Sequence, residues 1–481
     1  MRLYVAVALV VLLAGCSGVF APAEDADRGG DGDLGVEDGI GATDPLAITP
    51  ADGLNESELD RVVTRMMARV ETIRGLAFRE RVPVEVISRD TYRSRRPVAR
   101  GETDPVDERL HEATFLVGED ETVGEARGEV FGQNVLGYYN GSHIVVVTDS
   151  ADGFRISRGT LVHELTHALQ DQHFSLAPAR GTHDGRLAGQ GIVEGDANYV
   201  EYRYERRCED DWECIPPPES AGGGSGPSNV GLYLSVFTPY SEGPELIADL
   251  RDRGGWDAVD EAFADKPTST EQVIHPETYP DEEPVDVSVA DRSTEEWRRA
   301  GQGRSGDTVG EATLYAGLWT NGVVPEENLG AGATELSPYS YDHPATEGWG
   351  GDRIVAYTNG SGSGYVFKST WDSEEDAREF HAAYVDLIEA RGGRAVDPGV
   401  YRIPENSSYG DAFRVVRQNR TVVVVNAPTV DQLDAVHAVD GETGTDEEES
   451  PIGFPGAGSV GAAAALAVVV ALLVGRRRRR S

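Results

Sequence analysis

His163-Glu164-Leu165-Thr166-His167 opens the run HELTHALQDQHF (163–174), and the reading of the whole chain turns on it. Two histidines four apart on a helix lie on one face a turn apart, so both imidazoles can reach a single ion. Glu164 then stands over that ion, placed to take a proton from the water the ion activates. Histidine accounts for only 10 of 481 residues, which makes the pattern informative. Ser157 or Thr160 offers an N-cap just ahead of it, and Leu161, Val162, Leu165, Ala168 and Leu169 supply a buried face.

A catalytic zinc site wants three protein ligands and one open position. His173 gives H-E-x-x-H-x-x-Q-x-x-H, the metzincin spacing, but Gln170 stands where that class needs a glycine to turn the chain. On a continuing helix His173 would lie about 280° round from His163, off the metal face. A methionine turn is also missing, since the last methionine is Met67. The other candidate is Glu194, in Val193-Glu194-Gly195-Asp196-Ala197-Asn198, on a helix predicted from about Arg186. Two histidines from one helix and a glutamate from the next is the gluzincin arrangement.

HELTHALQDQHF, VEGDAN (193–198), GGWDAVDEAF (254–263) and PTSTEQVIHPETY (267–279) together resemble a family of prokaryotic, largely haloarchaeal, secreted or surface proteins. That family has a gluzincin-like metallopeptidase core, and the resemblance covers about residues 56–440. Carried over position by position, it implies that His163, His167 and Glu194 bind Zn²⁺ and that Glu164 is the general base in peptide hydrolysis. Asn198 stands where many gluzincins place an aspartate that orients a histidine ligand; it can accept from an imidazole N–H but brings no charge. Asp196, two residues from Glu194, is expected to face away from the metal into solvent. His275 is the first candidate to donate to the oxyanion, with Tyr199 or Tyr279 second. The two β-rich arms around Asn140-Gly141, at 135–147, form a hairpin able to offer an edge strand to an extended peptide.

Outward from this core, the chain expects an α+β fold: a zincin-like domain at 51–335 and a C-terminal β-β-α-β-β module at 336–440. Residues 1–16 read as a signal peptide whose Leu-Ala-Gly-Cys ending resembles a lipobox, making Cys16 the lipidation site. Residues 17–50 and 441–456 are acidic linkers, and 457–475 is apolar enough to span a bilayer, with a basic tail at 476–481. Arginines after an apolar C-terminal helix, behind Pro451-Ile-Gly-Phe-Pro-Gly456, resemble the archaeosortase-type sorting signal of haloarchaeal surface proteins. Cys208 and Cys214 are read as a disulfide closing a short loop in an exported chain. Asn55, Asn140, Asn359, Asn406 and Asn419 head glycosylation sequons. The net charge is −40 and lysine occurs only at 266 and 368, which argues against nucleic acid as a partner and fits concentrated salt. The expectation is a membrane-anchored metallopeptidase on the outer face of the cell. Its rival is a surface binding or envelope protein with a structural metal.

Overall fold

A computed structural model of the chain describes residues 34–48, 53–95, 104–131, 135–148, 156–216, 227–301 and 303–439. The signal peptide with Cys16, the first half of the acidic linker, the sorting motif, the apolar segment at 457–475 and the basic tail lie outside them. Among the described residues no helix is long and apolar enough to cross a membrane.

The second half of the acidic linker, expected to lie outside the domains, belongs to the fold. Its two short strands, β1 (Val36–Glu37) and β2 (Ile40–Gly41), pair as a hairpin. Helix α1 (Glu56–Arg74) holds that hairpin: Glu71 accepts from the Gly35 N–H at 3.0 Å and Arg69 donates to the Ala42 carbonyl at 2.8 Å. Asn55 starts α1 through a capping box with Glu58, a polar bond set that satisfies two otherwise orphaned N–H groups.

Strand β3 (Val84–Ser88) leads through α2 (Arg89–Arg95), α3 (Pro105–Ala113) and α4 (Val123–Phe131) to β4 (Gly137–Tyr139) and β5 (Ile144–Thr148). These strands make a three-stranded sheet in the order β3-β5-β4, with β3 parallel and β4 antiparallel to the central β5. Gly141, with φ of 88°, turns the hairpin between β4 and β5, a conformation that a side chain would strain. Strand β4 is therefore an edge, and it runs against α5 (Arg158–His173), the helix that carries HELTH.

Helix α6 (His183–Asp210) packs along α5, and α7 (Val230–Ser241) and α8 (Gly243–Ala264) pack on α6. The double glycine at 254–255 kinks α8: Gly255 has φ of 71°. Short α9 (Glu271–Ile274) follows, then β6 (Arg298–Arg299), α10 (Glu311–Thr320) and α11 (Asn328–Ala331).

The C-terminal stretch departs from the four-strand expectation. Strands β7 (Trp349–Thr358) and β8 (Ser363–Trp371) precede α12 (Glu374–Ala390), and β11 (Ala412–Gln418) and β12 (Thr421–Ala427) come later. Between them lies an extra hairpin, β9 (Arg394–Asp397) and β10 (Val400–Arg402), too short and polar to stand out from sequence. With β6 they form an antiparallel seven-stranded sheet in the order β6-β7-β8-β12-β11-β10-β9, and α13 (Leu433–His437) ends the described chain. Ala377, Phe380, Tyr384, Leu387 and Ile388 form the buried stripe of α12. One apolar cluster joins Leu110, Phe237 and Tyr315 of the helices to Phe367, Phe380 and Phe413. The architecture is mixed α+β, with helices and separate sheets.

Candidate metal centre

Ser157 caps α5 by accepting the Thr160 N–H at 3.3 Å, and Leu161, Val162, Leu165, Ala168 and Leu169 sink into the core with Val62, Met66 and Val146. That anchorage aims the opposite face of α5 at α6. His163 Nε2 and His167 Nε2 lie 3.0 Å apart, and Glu194 Oε2 sits 3.3 Å from the first and 3.2 Å from the second. All three residues are 0–2 % exposed.

Glycines bring Glu194 so close. A Cβ on Gly195 would meet the Gly243 backbone carbon at 2.5 Å, and one on Gly191 would meet Val273 at 2.7 Å, so α6 lies flush on the start of α8 and on α9. Gly159 does the same on α5, where a Cβ would strike Glu201 Oε1 at 2.3 Å.

The hydrogen-bond network assigns the tautomers. Gln170 Nε2 donates to the Val193 carbonyl (2.9 Å) and to Asp196 Oδ2 (3.1 Å), so Gln170 Oε1 is an acceptor. His167 Nδ1, 2.9 Å from that oxygen, must carry the proton, and its Nε2 turns a lone pair to the centre. Glu201 Oε2, 3.5 Å from His163 Nδ1, asks the same of the other ring. Asp196 is itself tied to the buried Arg74 at 3.0 Å, and Arg74 also reaches Asp260 at 2.5 Å and stacks over Trp256. Asp196 is thus a fully buried ion-pair partner, not the solvated acid its spacing suggested; α6 is enclosed at this depth, so facing away from Glu194 does not mean facing water.

Three acceptors converging in a buried space repel one another unless positive charge lies between them. Neither oxygen of Glu194 has a well-aligned hydrogen bond, although two imidazoles and the Tyr240 hydroxyl approach it. Without a cation, protons fill that need. Burial opposes a charge on His163, yet the carboxylates of Glu194 and Glu201 raise it to about 10; His167 is raised as well, against its burial, by Glu194. Glu194, against its own burial, is held down to about 2 by the two imidazoles. A divalent ion satisfies the same trio: tetrahedral sites with bonds of ~2.0–2.1 Å keep neighbouring ligand atoms ~3.3 Å apart, close to the spacings present. The residues are ones that could hold a divalent metal ion as a His₂Glu set.

Glu164 stands beside this trio, fully buried and with neither carboxylate oxygen in a well-formed hydrogen bond. Burial raises its pKa, and the neighbouring imidazoles only partly offset that. The edge strand passes next to it: a Cβ on Gly137 would lie 3.6 Å from Glu164 Cγ, and the backbone of Tyr139 faces its carboxylate. Tyr240, half-buried at the end of α7, brings its hydroxyl to Glu194; burial and then Glu194 push that phenol well above its usual range.

The remaining candidates go elsewhere. His275 is bound by Glu311 at 3.2 Å, which raises it to about 9 against its burial. The Tyr199 hydroxyl accepts from Arg251 at 2.5 Å, and the Tyr279 hydroxyl donates to the Asp265 carbonyl. Asn198 does not orient a histidine: its Nδ2 donates to the Tyr240 carbonyl at 3.3 Å, and Gln170 and Glu201 face the imidazoles instead. His173 lies 2.7 Å from the Ala77 carbonyl, away from the trio. Cys208 and Cys214 are disulfide-bonded. Asn55 and Asn140 spend their side-chain oxygens on local turns, and Asn359 accepts from Ser361 and Gly362. Asn406 and Asn419 are exposed. Sequence reading missed Gln170, Glu201 and Tyr240 as parts of the centre. Gln170 alone left a trace, at the i+3 position from His167.

A family model described as a domain of unknown function (DUF8575) matches residues 298–437, a segment that contains the seven-stranded sheet and α12 but none of His163, Glu164, His167 and Glu194. No curated protein and no solved structure matches the chain.

Proposed function

We propose that the protein is a zinc metallopeptidase with a zincin-like core of gluzincin type, followed by a C-terminal α+β module. The observation that carries this reading is the convergence of His163, His167 and Glu194 to 3.0–3.3 Å, with the free carboxylate of Glu164 alongside. Bound there, Zn²⁺ supplies a Lewis acid that lowers the pKa of water and polarises a peptide carbonyl. Glu164 accepts the proton of the attacking water and returns it to the departing amine; its raised pKa suits both halves of that task. Tyr240 takes the oxyanion role first given to His275: its hydroxyl donates to the charge that develops on the carbonyl oxygen. Edge strand β4 pairs with the extended backbone of the peptide and presents the scissile bond to Glu164.

The resemblance to haloarchaeal surface proteins, the lipobox-like Cys16 and the apolar segment at 457–475 support display on the outer face of the membrane. The acidic excess argues against a nucleic-acid partner, and the peptide or protein substrate rests on the proposed chemistry. A second reading, a surface binding protein whose metal is structural, draws on the burial of all four side chains at 0–2 % exposure. Zinc content and peptide-library hydrolysis of the wild type and Glu164→Gln separate them. Zinc in both proteins with cleavage only in the wild type supports the peptidase. Zinc in both with cleavage in neither supports the structural metal.

A further inference from the structure

A second cluster of acids lies apart from the His₂Glu centre. Glu271 opens α9, Glu282 lies in the turn that follows, and Asp372 comes directly after β8. One carboxylate oxygen from each lies within 4.8 Å of the other two. Bonds that do not involve these carboxylates fix the three backbones. Gln272 Nε2 donates to the Glu282 carbonyl at 2.7 Å, the Glu282 N–H donates to Thr278 at 2.9 Å, and the Asp372 N–H donates to Gly348 at 2.9 Å. The Asp372 carbonyl accepts from Arg420 at 3.0 Å. The acids therefore stay close because the fold holds them there.

Like charges held this way cost free energy, and the fold adds to that cost by burying one of them. Glu271 is 3 % exposed, and its Oε2 accepts no hydrogen bond. The charges around the trio are mostly of the same sign: Glu311 acts on Glu271 and Asp376 on Asp372, with His275 and Arg420 as partial counter-charges. Burial, then Glu311 and Asp372, pushes Glu271 up to about 9; burial, then Glu282, through its charge and a hydrogen bond between the two carboxyls, raises Asp372 to about 6. A buried carboxyl group with an unused oxygen, and with an oxygen within 4.8 Å of two more carboxylates, is a group that a cation would satisfy.

We infer that Glu271, Glu282 and Asp372 form a second metal site, for a hard divalent cation of the calcium class. The donor set is oxygen only, which separates it from the imidazole-bearing centre and favours Ca²⁺ over zinc. Three oxygens spread evenly around one Ca²⁺ at ~2.3–2.6 Å lie ~4.0–4.5 Å apart, a spacing inside the 4.8 Å within which the trio's oxygens lie. Glu282 and Asp372 are exposed, which leaves room for water to complete the shell. The site ties Asp372, inside the segment matched as DUF8575, to Glu271 and Glu282, which precede it in the helical part of the chain.

Terbium, a luminescent calcium surrogate, tests this on the full chain after calcium removal and zinc reloading. Trp371, next to Asp372, is the sensitiser. Saturable emission that Ca²⁺ competes away is expected, together with a Tm rise of about 2–5 °C in millimolar Ca²⁺. Asp372→Asn and Glu282→Gln, both at exposed positions, each weaken calcium binding at least about tenfold while zinc content is unchanged. Glu271→Gln leaves the calcium-free Tm near that of the wild type, because the buried carboxyl is already held protonated there, and abolishes the calcium increment. A calcium increment of wild-type size in Asp372→Asn and Glu271→Gln overturns the inference, as does terbium emission that calcium does not compete.

Discussion

Gln170 decides which nitrogen of His167 faces Glu194. Its amide is locked by Val193 and Asp196, so its oxygen accepts from Nδ1 and leaves Nε2 turned to His163 and Glu194, as the proposed site needs. Arg74 behind Asp196 completes a relay that sets the ring orientation from three residues away. Gln170→Leu removes the acceptor while preserving bulk, and zinc affinity measured by chelator competition is expected to fall about 10–100-fold. An unchanged affinity shows that the relay does not orient the ring. The same residue marks the limit of sequence reading at this scale. Gln170 looked like a failed metzincin glycine, because a motif specifies ligands and is silent about what holds them. Glu164, His163 and His167 were legible because one helical turn fixes their geometry. Tyr240 was not, since it reaches Glu194 from a separate helix, α7, with no spacing to announce it.

At the scale of elements, the centre depends on how closely α6 approaches α8. The Gly195 and Gly243 backbones touch, and a methyl group at 195 would have to displace the main chain of the neighbouring helix, not a flexible side chain. Gly195→Ala is expected to cost about 1–3 kcal/mol by overpacking and to weaken zinc binding by moving Glu194. Chemical denaturation and metal titration of the variant measure the two effects. Wild-type stability would mean that the helices separate freely and that the glycine contact is incidental. Helix α6 was legible as a helix but not as a buried one. Its residues lack a polar stripe, so the rule that i+2 faces away placed Asp196 in solvent, where the packing of α1 and α8 encloses it. The hairpin of β4 and β5 was legible from Asn140-Gly141. That β4 is the edge beside Glu164 depends on the parallel pairing of β3 with β5, a long-range fact that local pattern does not carry.

Across the whole molecule, the acidic excess continues into the core, and this sets a pH response. Burial raises Glu112 and Glu242 to about 8 and Asp352 to about 7, each well above its unfolded value. Between the unfolded and folded values the native state holds more protons than the unfolded chain, so stability falls as pH rises. Their contribution is complete below about pH 4 and is lost as pH passes through about 7–8. His275, raised to about 9, acts in the same direction: its contribution is present below its unfolded pKa and lost through about pH 9. At constant salt, Tm is expected to drop by about 5 °C or more from pH 5 to pH 9, and Glu242→Gln should shrink that drop. A Tm that climbs over this range contradicts the assignment. The most direct test of the central claim is the zinc content of the purified chain, measured by elemental analysis after saturation and removal of free metal. With calcium-site residues intact, the account predicts one zinc per chain in the wild type and in Glu164→Gln, and none in His163→Ala or Glu194→Ala. Wild-type protein that retains no zinc, or His163→Ala protein that retains a full equivalent, would contradict it.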